Sequence, residues 1–388
     1  MAQEQFALVK KKRIGLLLTG DSSWIGGLYY VLNIVKSLNL LDDNLKPELI
    51  VFYNDSTPQE IIHEINYPYV SCRKIRKQNF FFRAINKIRR LLFKDGSYFE
   101  RIINSEKLDA IYPFSDYDPD LKINCLIVYW IYDFQHMYLP ELFSKEEIKK
   151  RNRDFENIAK YGRKIVFSSY DSLNSFKNFY PDSKADLHVL QFVSVINEQK
   201  ISDFNEVKKK YKINRPYFIV ANQFWQHKNH VVVLRALNIL RKDFQDLLIV
   251  FTGRQHDHRN LLYFTSLKDF IRAENQDHHI IFTDFIPREE QLSIMKNSLA
   301  VIQPSKFEGW STVIEDAKTM NKIIIASDIL VHQEQLENGN CFFSPDDENK
   351  LAQLMKSVLI HEKGTAQIHV YDDLQHTKEF AHHFVNIF

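Results

Sequence analysis

Apolar residues fall in short continuous runs, with amphipathic stretches between them. Arg13–Thr19 (RIGLLLT), Glu48–Tyr53 (ELIVFY), Leu108–Phe114 (LDAIYPF), Cys125–Tyr132 (CLIVYWIY) and Lys164–Ser168 (KIVFS) are the runs of the first half, and Leu28–Leu40 is an amphipathic stretch. The second half repeats the scheme with Tyr217–Ala221 (YFIVA), Leu247–Thr252 (LLIVFT), His279–Phe282, Leu299–Gln303 (LAVIQ) and Lys322–Ala326 (KIIIA). Helical patterns over Lys228–Arg241 and Arg288–Lys296 lie among them. Strands apolar on both faces and alternating with helices predict an α/β chain with parallel sheets covered on both sides. The charged and polar segment Ser194–Pro216 interrupts the pattern. It divides the chain into two doubly wound domains, 1–195 and 196–370, and a last segment, 371–388. Two such domains facing each other leave a cleft at the carboxyl ends of their strands, where open α/β sheets bind ligands.

The 388 residues suit two domains of ~100–200 residues each. Hydrophobic residues at 45% and charged residues at 26% describe a soluble globular chain and exclude disorder. Lys+Arg (51) nearly balances Asp+Glu (49), so no global field selects nucleic acid, and none is expected as a partner. Only 10 Gly and 11 Pro exclude fibrous classes. Cys72, Cys125 and Cys341 are scattered, with no CxxC, so neither a disulfide framework nor a zinc site is expected. The opening MAQEQFALVKKKR lacks the apolar core of a secretory signal, and no apolar run approaches the ~20 residues of a spanning helix. A cytoplasmic location is the expectation.

Phosphate chemistry narrows the reading. Neither GxxxxGK[ST] nor a GxGxxG after a strand occurs. Gly26-Gly27, between the first strand and the first helix, instead lets a ligand approach backbone N–H groups at a helix start. The most informative segment is Pro304–Lys318 (PSKFEGWSTVIEDAK), in which a strand runs into a loop carrying Glu308-Gly309 and a helix opens at about Ser311. Thr312-x-x-Glu315 reads as a capping box, and the N–H groups of that helix start favour an anion.

This segment resembles the carboxylate motif of the family 4 retaining, nucleotide-sugar-dependent glycosyltransferases, which have the GT-B fold of two Rossmann-like domains. In that motif two Glu are separated by seven residues. Here seven residues after Glu308 lead to Asp316, and Glu315 lies one step earlier. The resemblance implies that Glu308 orients the donor sugar and that Asp316 or Glu315 binds the ribose. Glu315 is equally read as a helix cap. Other segments agree over residues 13–345. Ala221–His230 resembles the loop that grips the donor diphosphate. Lys228 matches it, but Gln223 stands where Arg is usual, which makes Asn222, Gln223 and Arg254 candidate substitutes. Gly253 ends the second strand of that domain, Phe282–Pro287 with Ile286 resembles the base loop, and Asn338–Pro345 resembles a late NG segment. Trp24–Gly27, Trp130–His136 and Phe167–Asp171 resemble first-domain segments.

The resemblance therefore implies a sugar transfer from a UDP- or GDP-linked donor to a saccharide or lipid-linked acceptor in surface glycan synthesis. Glu308 and His136 are the catalytic candidates. Lys228, Gly26, Gly27, Ser311, Thr312, Gln223 and Arg254 would bind the donor phosphates. Gly309, Trp310, Gly253 and Ile286 would surround the sugar and base. No metal or cofactor is expected if these groups suffice for the leaving diphosphate. The last segment, 371–388, is expected to be a helix packing back on the first domain. Two alternatives stay open: a nucleotide-sugar epimerase of similar fold, and a sugar- or nucleotide-binding subunit without activity.

Bland readings apply elsewhere. Asp116-Tyr-Asp118-Pro-Asp120 lacks the glycine and distal Glu of a calcium loop and reads as a solvated turn. His136 could equally be a satisfied structural histidine. Arg73–Lys94 carries nine Lys/Arg and no acid, and its basic and apolar stripes have helical spacing. It reads either as a packed helix with a solvated side or as a surface for anionic lipid or a lipid-linked acceptor, making the enzyme peripheral on the cytoplasmic face of a membrane.

Overall fold

The computed structural model describes residues 10–20, 25–75, 97–336, 341–361 and 372–388. The first sheet contains β1 (Arg13–Leu18), β2 (Glu48–Tyr53), β3 (Val70–Lys74), β4 (Ala110–Phe114), β5 (Leu126–Ile131), β6 (Lys164–Phe167) and β7 (Asp186–Val189), in the order β3-β2-β1-β4-β5-β6-β7. The second contains β8 (Tyr217–Val220), β9 (Leu248–Phe251), β10 (Ile280–Phe282), β11 (Val301–Gln303), β12 (Ile324–Ser327) and β13 (Phe342–Phe343), in the order β10-β9-β8-β11-β12-β13. The pairings are parallel throughout, as in Ile14↔Leu49 and Gln303↔Ala326. Strand order reverses between β1 and β4 and between β8 and β11, and the carboxyl-end loops at these reversals carry the site.

Period-two alternation builds the cores. In β8, Phe218 and Val220 enter one cluster with the helix α3 (His230–Leu240), while Tyr217 and Ile219 enter another with α4 (Arg288–Lys296) and α5 (Thr312–Thr319). In the first domain α1 (Ile25–Ser37) is buried nearly all round. It is sandwiched between the sheet and the chain's last helix, Asp373–Ile387, whose Phe380, Phe384 and Ile387 join the same core. Helix α2 (Tyr170–Phe179) follows β6, and α6 (Leu330–Gln335) follows β12; the last helix is α7. Phe192 and Val193 still belong to the first core, whereas Val207 belongs to the second. The crossing between them is tied to α1 where Asn33 Nδ2 donates to the Val193 carbonyl at 2.9 Å.

Three strands, β3, β7 and β13, have no counterpart among the apolar runs. All lie at sheet edges, where one side faces solvent and the sequence need not be apolar. The edge strand β3 also corrects the basic-helix reading at its start. Arg73 and Lys74 are strand residues paired with Glu106 at 2.5 Å and Asp55 at 2.7 Å. The rest of the Arg73–Lys94 segment from residue 76, together with Trp24 and Asn338-Gly339, lies outside the described residues.

Candidate active site

A cleft of about 830 Å³ separates the carboxyl ends of the two sheets. On the second-domain side, β11 ends at Gln303 and delivers the loop that carries Glu308. The Glu308 carboxylate accepts from Lys228 Nζ at 2.6 and 2.8 Å, from Gln303 Nε2 at 2.8 Å and from Ser305 Oγ at 2.6 Å. Gln303 is itself aimed by Asn222, whose Nδ2 donates to Gln303 Oε1 at 2.8 Å. A carboxylate held by this many donors has one orientation. Lys228 arrives on a single 3-10 turn that ends at Asn229, in the left-handed region at φ 57°. Asn tolerates that conformation, and its side chain ties the turn to the Pro304 and Pro345 carbonyls at 3.1 and 2.7 Å. Lys228 and Glu308 are 14% and 8% exposed, so the cleft presents a nearly dry ion pair at its floor.

The start of α5 faces the first domain. Ser311 is the N-cap: its Oγ accepts from the Ile314 N–H at 3.3 Å, and its own N–H donates to Gln335 Oε1 at 3.0 Å. The Thr312/Glu315 capping box is thus corrected, because the cap lies one residue earlier and Glu315 turns elsewhere. The Ser311 N–H is likewise committed to Gln335 and is not open to a phosphate. Thr312 and Val313 both line the cleft, and their N–H groups make no hydrogen bond among the described residues. A Cβ on Gly26 would lie 3.8 Å from Thr312 Cγ2, so the starts of α1 and α5 face each other across the cleft.

The two carboxylates that follow divide by helix geometry. Glu315 lies on the Ser311 side of α5 and accepts from Gln335 Nε2 at 2.9 Å and Lys318 Nζ at 3.2 Å. It is 1% exposed, and burial pushes its carboxyl up from the ordinary value. Its role here is to brace Gln335 beneath the helix start. Asp316 lies on the Thr312 side, toward the first domain. Arg288 holds it bidentately at 2.7 and 2.9 Å, and Ser194 Oγ donates to it at 2.5 Å.

Other sequence candidates are placed differently from expectation. Arg254 is not among the cleft residues; its guanidinium lies over the Phe285 ring at 5.5 Å, while its N–H donates to Gln223 Oε1 at 3.0 Å. Gly253 and Ile286 line the cleft, but Gly253 is demanded by backbone packing: φ is +133° and a Cβ would meet the Asn222 carbonyl oxygen at 2.2 Å. Gly309 is a domain contact, since a Cβ there would lie 2.2 Å from the Tyr132 carbonyl oxygen. Trp310 also joins the domains, its Nε1 donating to the Phe192 carbonyl at 2.9 Å. His136 is corrected as a catalytic candidate. It is 1% exposed and absent from the cleft wall, packed among Phe134, Phe143 and Phe155 with Asn152 beside it. Burial, with help from Arg151, lowers its pKa to about 4. From that same segment it is Tyr132, Asp133 and Gln135 that line the cleft.

Arg288, Tyr29, Val313, Gln303 and Ser305 carry no sequence signal of their own; the first three line the cleft, and Gln303 and Ser305 hold Glu308. Among the described residues no group of three His, Cys, Asp or Glu side chains is arranged to hold a metal ion. In the acidic turn Asp116 pairs with Lys150 at 2.6 Å, and Asp118 accepts from the Asp120 N–H at 2.9 Å.

Residues 203–371, the second domain, match the family model for glycosyl transferases group 1. The O-antigen chain mannosyltransferase RfbU of Salmonella typhimurium is 25% identical over 230 residues, a match covering 59% of this chain and 59% of that relative. Among solved structures, HepE of Anabaena in complex with UDP and glucose superimposes with a TM-score of 0.68 at 14% identity, covering 97% of this chain and 98% of that one. A glycosyltransferase from Rickettsia africae gives 0.65 at 14% identity, covering 97% and 96%. Identities this low speak to the fold. The family match is to the second domain, and the two parallel sheets with the cleft between them give the whole chain the GT-B fold.

Proposed function

We propose that the protein transfers a hexosyl group from a nucleoside diphosphate sugar to a saccharide acceptor, with retention of configuration at the anomeric carbon. The observation that carries this reading is the Lys228–Glu308 pair, set on the cleft floor near the open N–H groups of Thr312 and Val313. In the reaction the bond between the anomeric carbon and the diphosphate oxygen breaks. The departing diphosphate gains charge, which Lys228 and the helix-start N–H groups are aimed to receive in a water-poor site. Glu308, fixed by Gln303 and Ser305, orients the sugar as its ring becomes oxocarbenium-like. The acceptor hydroxyl then bonds to the anomeric carbon and releases its proton. Neutralisation of the leaving group is assigned to these residues without a metal, so transfer is expected to persist in EDTA.

Mannose, named for the Salmonella relative, and UDP, bound by HepE, are the sugar and nucleotide to try first, with GDP alongside. The acceptor is taken to be a growing surface glycan, lipid-linked at the cytoplasmic face of a membrane. No helix among the described residues is long and apolar enough to cross a membrane. Co-sedimentation with anionic but not neutral vesicles is the expected result for a peripheral enzyme; equal binding to both would sink that part.

Calorimetry with UDP and GDP tests the core of the reading. One diphosphate is expected to bind, and Lys228→Met is expected to weaken it about tenfold or more while sparing the free nucleoside. Equal loss for both ligands would remove Lys228 from the phosphates. Product analysis with and without acceptor separates transfer from epimerisation, and binding without turnover would favour a non-catalytic subunit.

A further inference from the structure

The two oxygens of the Glu308 carboxylate are filled unequally. Oε1 accepts from Lys228 Nζ at 2.6 Å, from Gln303 Nε2 at 2.8 Å and from Ser305 Oγ at 2.6 Å, whereas Oε2 accepts from Lys228 alone, at 2.8 Å. Among the described residues no other cation pairs with Glu308. His332 stands near the pair, but burial, opposed by Glu308, lowers its pKa to about 4, so it is neutral and adds no positive charge. A carboxylate this far from water needs a counter-charge and donors for its oxygens. For Oε2, Lys228 is the source of both.

Lys228 meets a limit from its own side. An ammonium carries three hydrogens, and two are directed at Glu308. To turn those hydrogens toward a diphosphate, Lys228 has to release Glu308. Glu308 cannot follow it, because Gln303 and Ser305 hold Oε1 and Asn222 fixes Gln303. The two side chains are 14% and 8% exposed, so water does not readily replace what Oε2 loses. What the ligand brings then decides the outcome. The phosphate end of a nucleoside diphosphate offers oxygens that accept and cannot donate to Oε2. A nucleoside diphosphate sugar offers the same kind of oxygens together with sugar hydroxyls, and a hydroxyl can donate to Oε2 as Lys228 leaves it.

We propose that the Lys228–Glu308 pair is an exchange device that distinguishes the donor from its spent nucleotide. Lys228 closes on the diphosphate while a sugar hydroxyl occupies Glu308 Oε2, and it returns to Glu308 once the sugar has been transferred. This rests on the nucleotide-sugar reading above and adds to it a cause for product release. The grip on the diphosphate and the presence of the sugar are thereby coupled. The spent nucleotide is held less tightly than the donor although it carries more negative charge, the reverse of what attraction to Lys228 alone would give.

Calorimetry on the full chain without acceptor tests this, using UDP beside UDP-glucose and GDP beside GDP-mannose. The wild type is expected to bind the sugar nucleotide about tenfold more tightly than the matching diphosphate. Glu308→Gln removes the charge that reclaims Lys228. It is expected to bind the diphosphate about tenfold more tightly than the wild type does, and the sugar nucleotide no more tightly, so that the preference disappears. Glu308→Ala also frees Lys228 and should show the same shift, so a failure of one variant to fold leaves the other to decide. Equal tightening of both ligands overturns the proposal, because Glu308 would then only repel phosphate. Unchanged or weaker binding of the diphosphate by a folded variant overturns it too, because the pair would then be a fixed contact. A wild type that binds none of the four ligands overturns the nucleotide-sugar reading itself, an outcome distinct from binding without the shift.

Discussion

Gly309→Ala is expected to impair transfer without unfolding either domain. The added Cβ would sit 2.2 Å from the Tyr132 carbonyl oxygen and 3.0 Å from Asp133 Cβ. The oxygen belongs to backbone at the end of β5, which cannot rotate away. Restoring even the closest tolerated separation of 3.0 Å moves the Glu308–Trp310 loop and the first domain apart by about 0.8 Å. Overpacking of this kind costs about 1–3 kcal/mol. Because the clash is between domains, the cost falls on the closed arrangement, whose population should drop about 5- to 150-fold relative to an open one. The assay is the transfer rate at saturating donor and acceptor, read beside a thermal melt. The rate should fall by at least fivefold, and the melt should move little. Gly26→Ala is the control, since its Cβ meets its nearest neighbour at an ordinary 3.8 Å, so a loss there reports on ligand and not on packing. An unchanged rate for Gly309→Ala, or a melt lowered as much as for Gly253→Ala, would refute the reasoning.

Glu308→Gln keeps the shape and, with its amide turned to accept from Gln303 and Ser305, is expected to lower transfer by about a hundredfold or more while the protein melts as before; a transfer rate within a few-fold of wild type would remove Glu308 from the reaction. His136→Phe should retain transfer, because the ring lies outside the cleft, and should alter the acid limb of stability. A histidine at about 4 in the fold and about 6.5 unfolded contributes stability that is present above 6.5 and lost as pH falls toward 4. The variant should therefore recover about 2 kcal/mol at pH 5 relative to pH 7 in denaturant titrations. No change in that pH difference, or loss of transfer, would count against it.

The central strands were legible because they are covered on both faces and so read as unbroken apolar runs; β8 and β11, which deliver Lys228 and Glu308, are of this kind. The edge strands were not, since Val70–Lys74 and Asp186–Val189 carry charge on their open sides. At the site, loop chemistry pointed to the helix start and supported Glu308, whereas Lys228 and the role of Glu308 came from the family resemblance. Side-chain direction does not show in sequence. His136 follows a strand end just as a ligand-facing histidine would, yet Phe134, Phe143 and Phe155 draw it into the core. Arg288 looks like the polar start of an exposed helix, and only the approach of Asp316, Ser194 and Tyr29 from distant parts of the chain gives it a role. That Glu315 and Asp316 take different partners likewise shows only in the fold, where Gln335, twenty residues from Glu315, donates to it.

The return of the chain to its starting domain has a consequence for modularity. Residues 372–388 lie beyond the second domain in sequence, yet Phe380, Phe384 and Ile387 fill the first core against α1. The first domain is thus assembled from two separate stretches of the chain, with the second domain between them in sequence. A fragment cut near residue 195 would expose the apolar face of α1, whereas the second domain could be excised or exchanged as an insert. Exchanging the second domain on this scaffold should accordingly use two junctions, one before α5's domain begins and one after it ends.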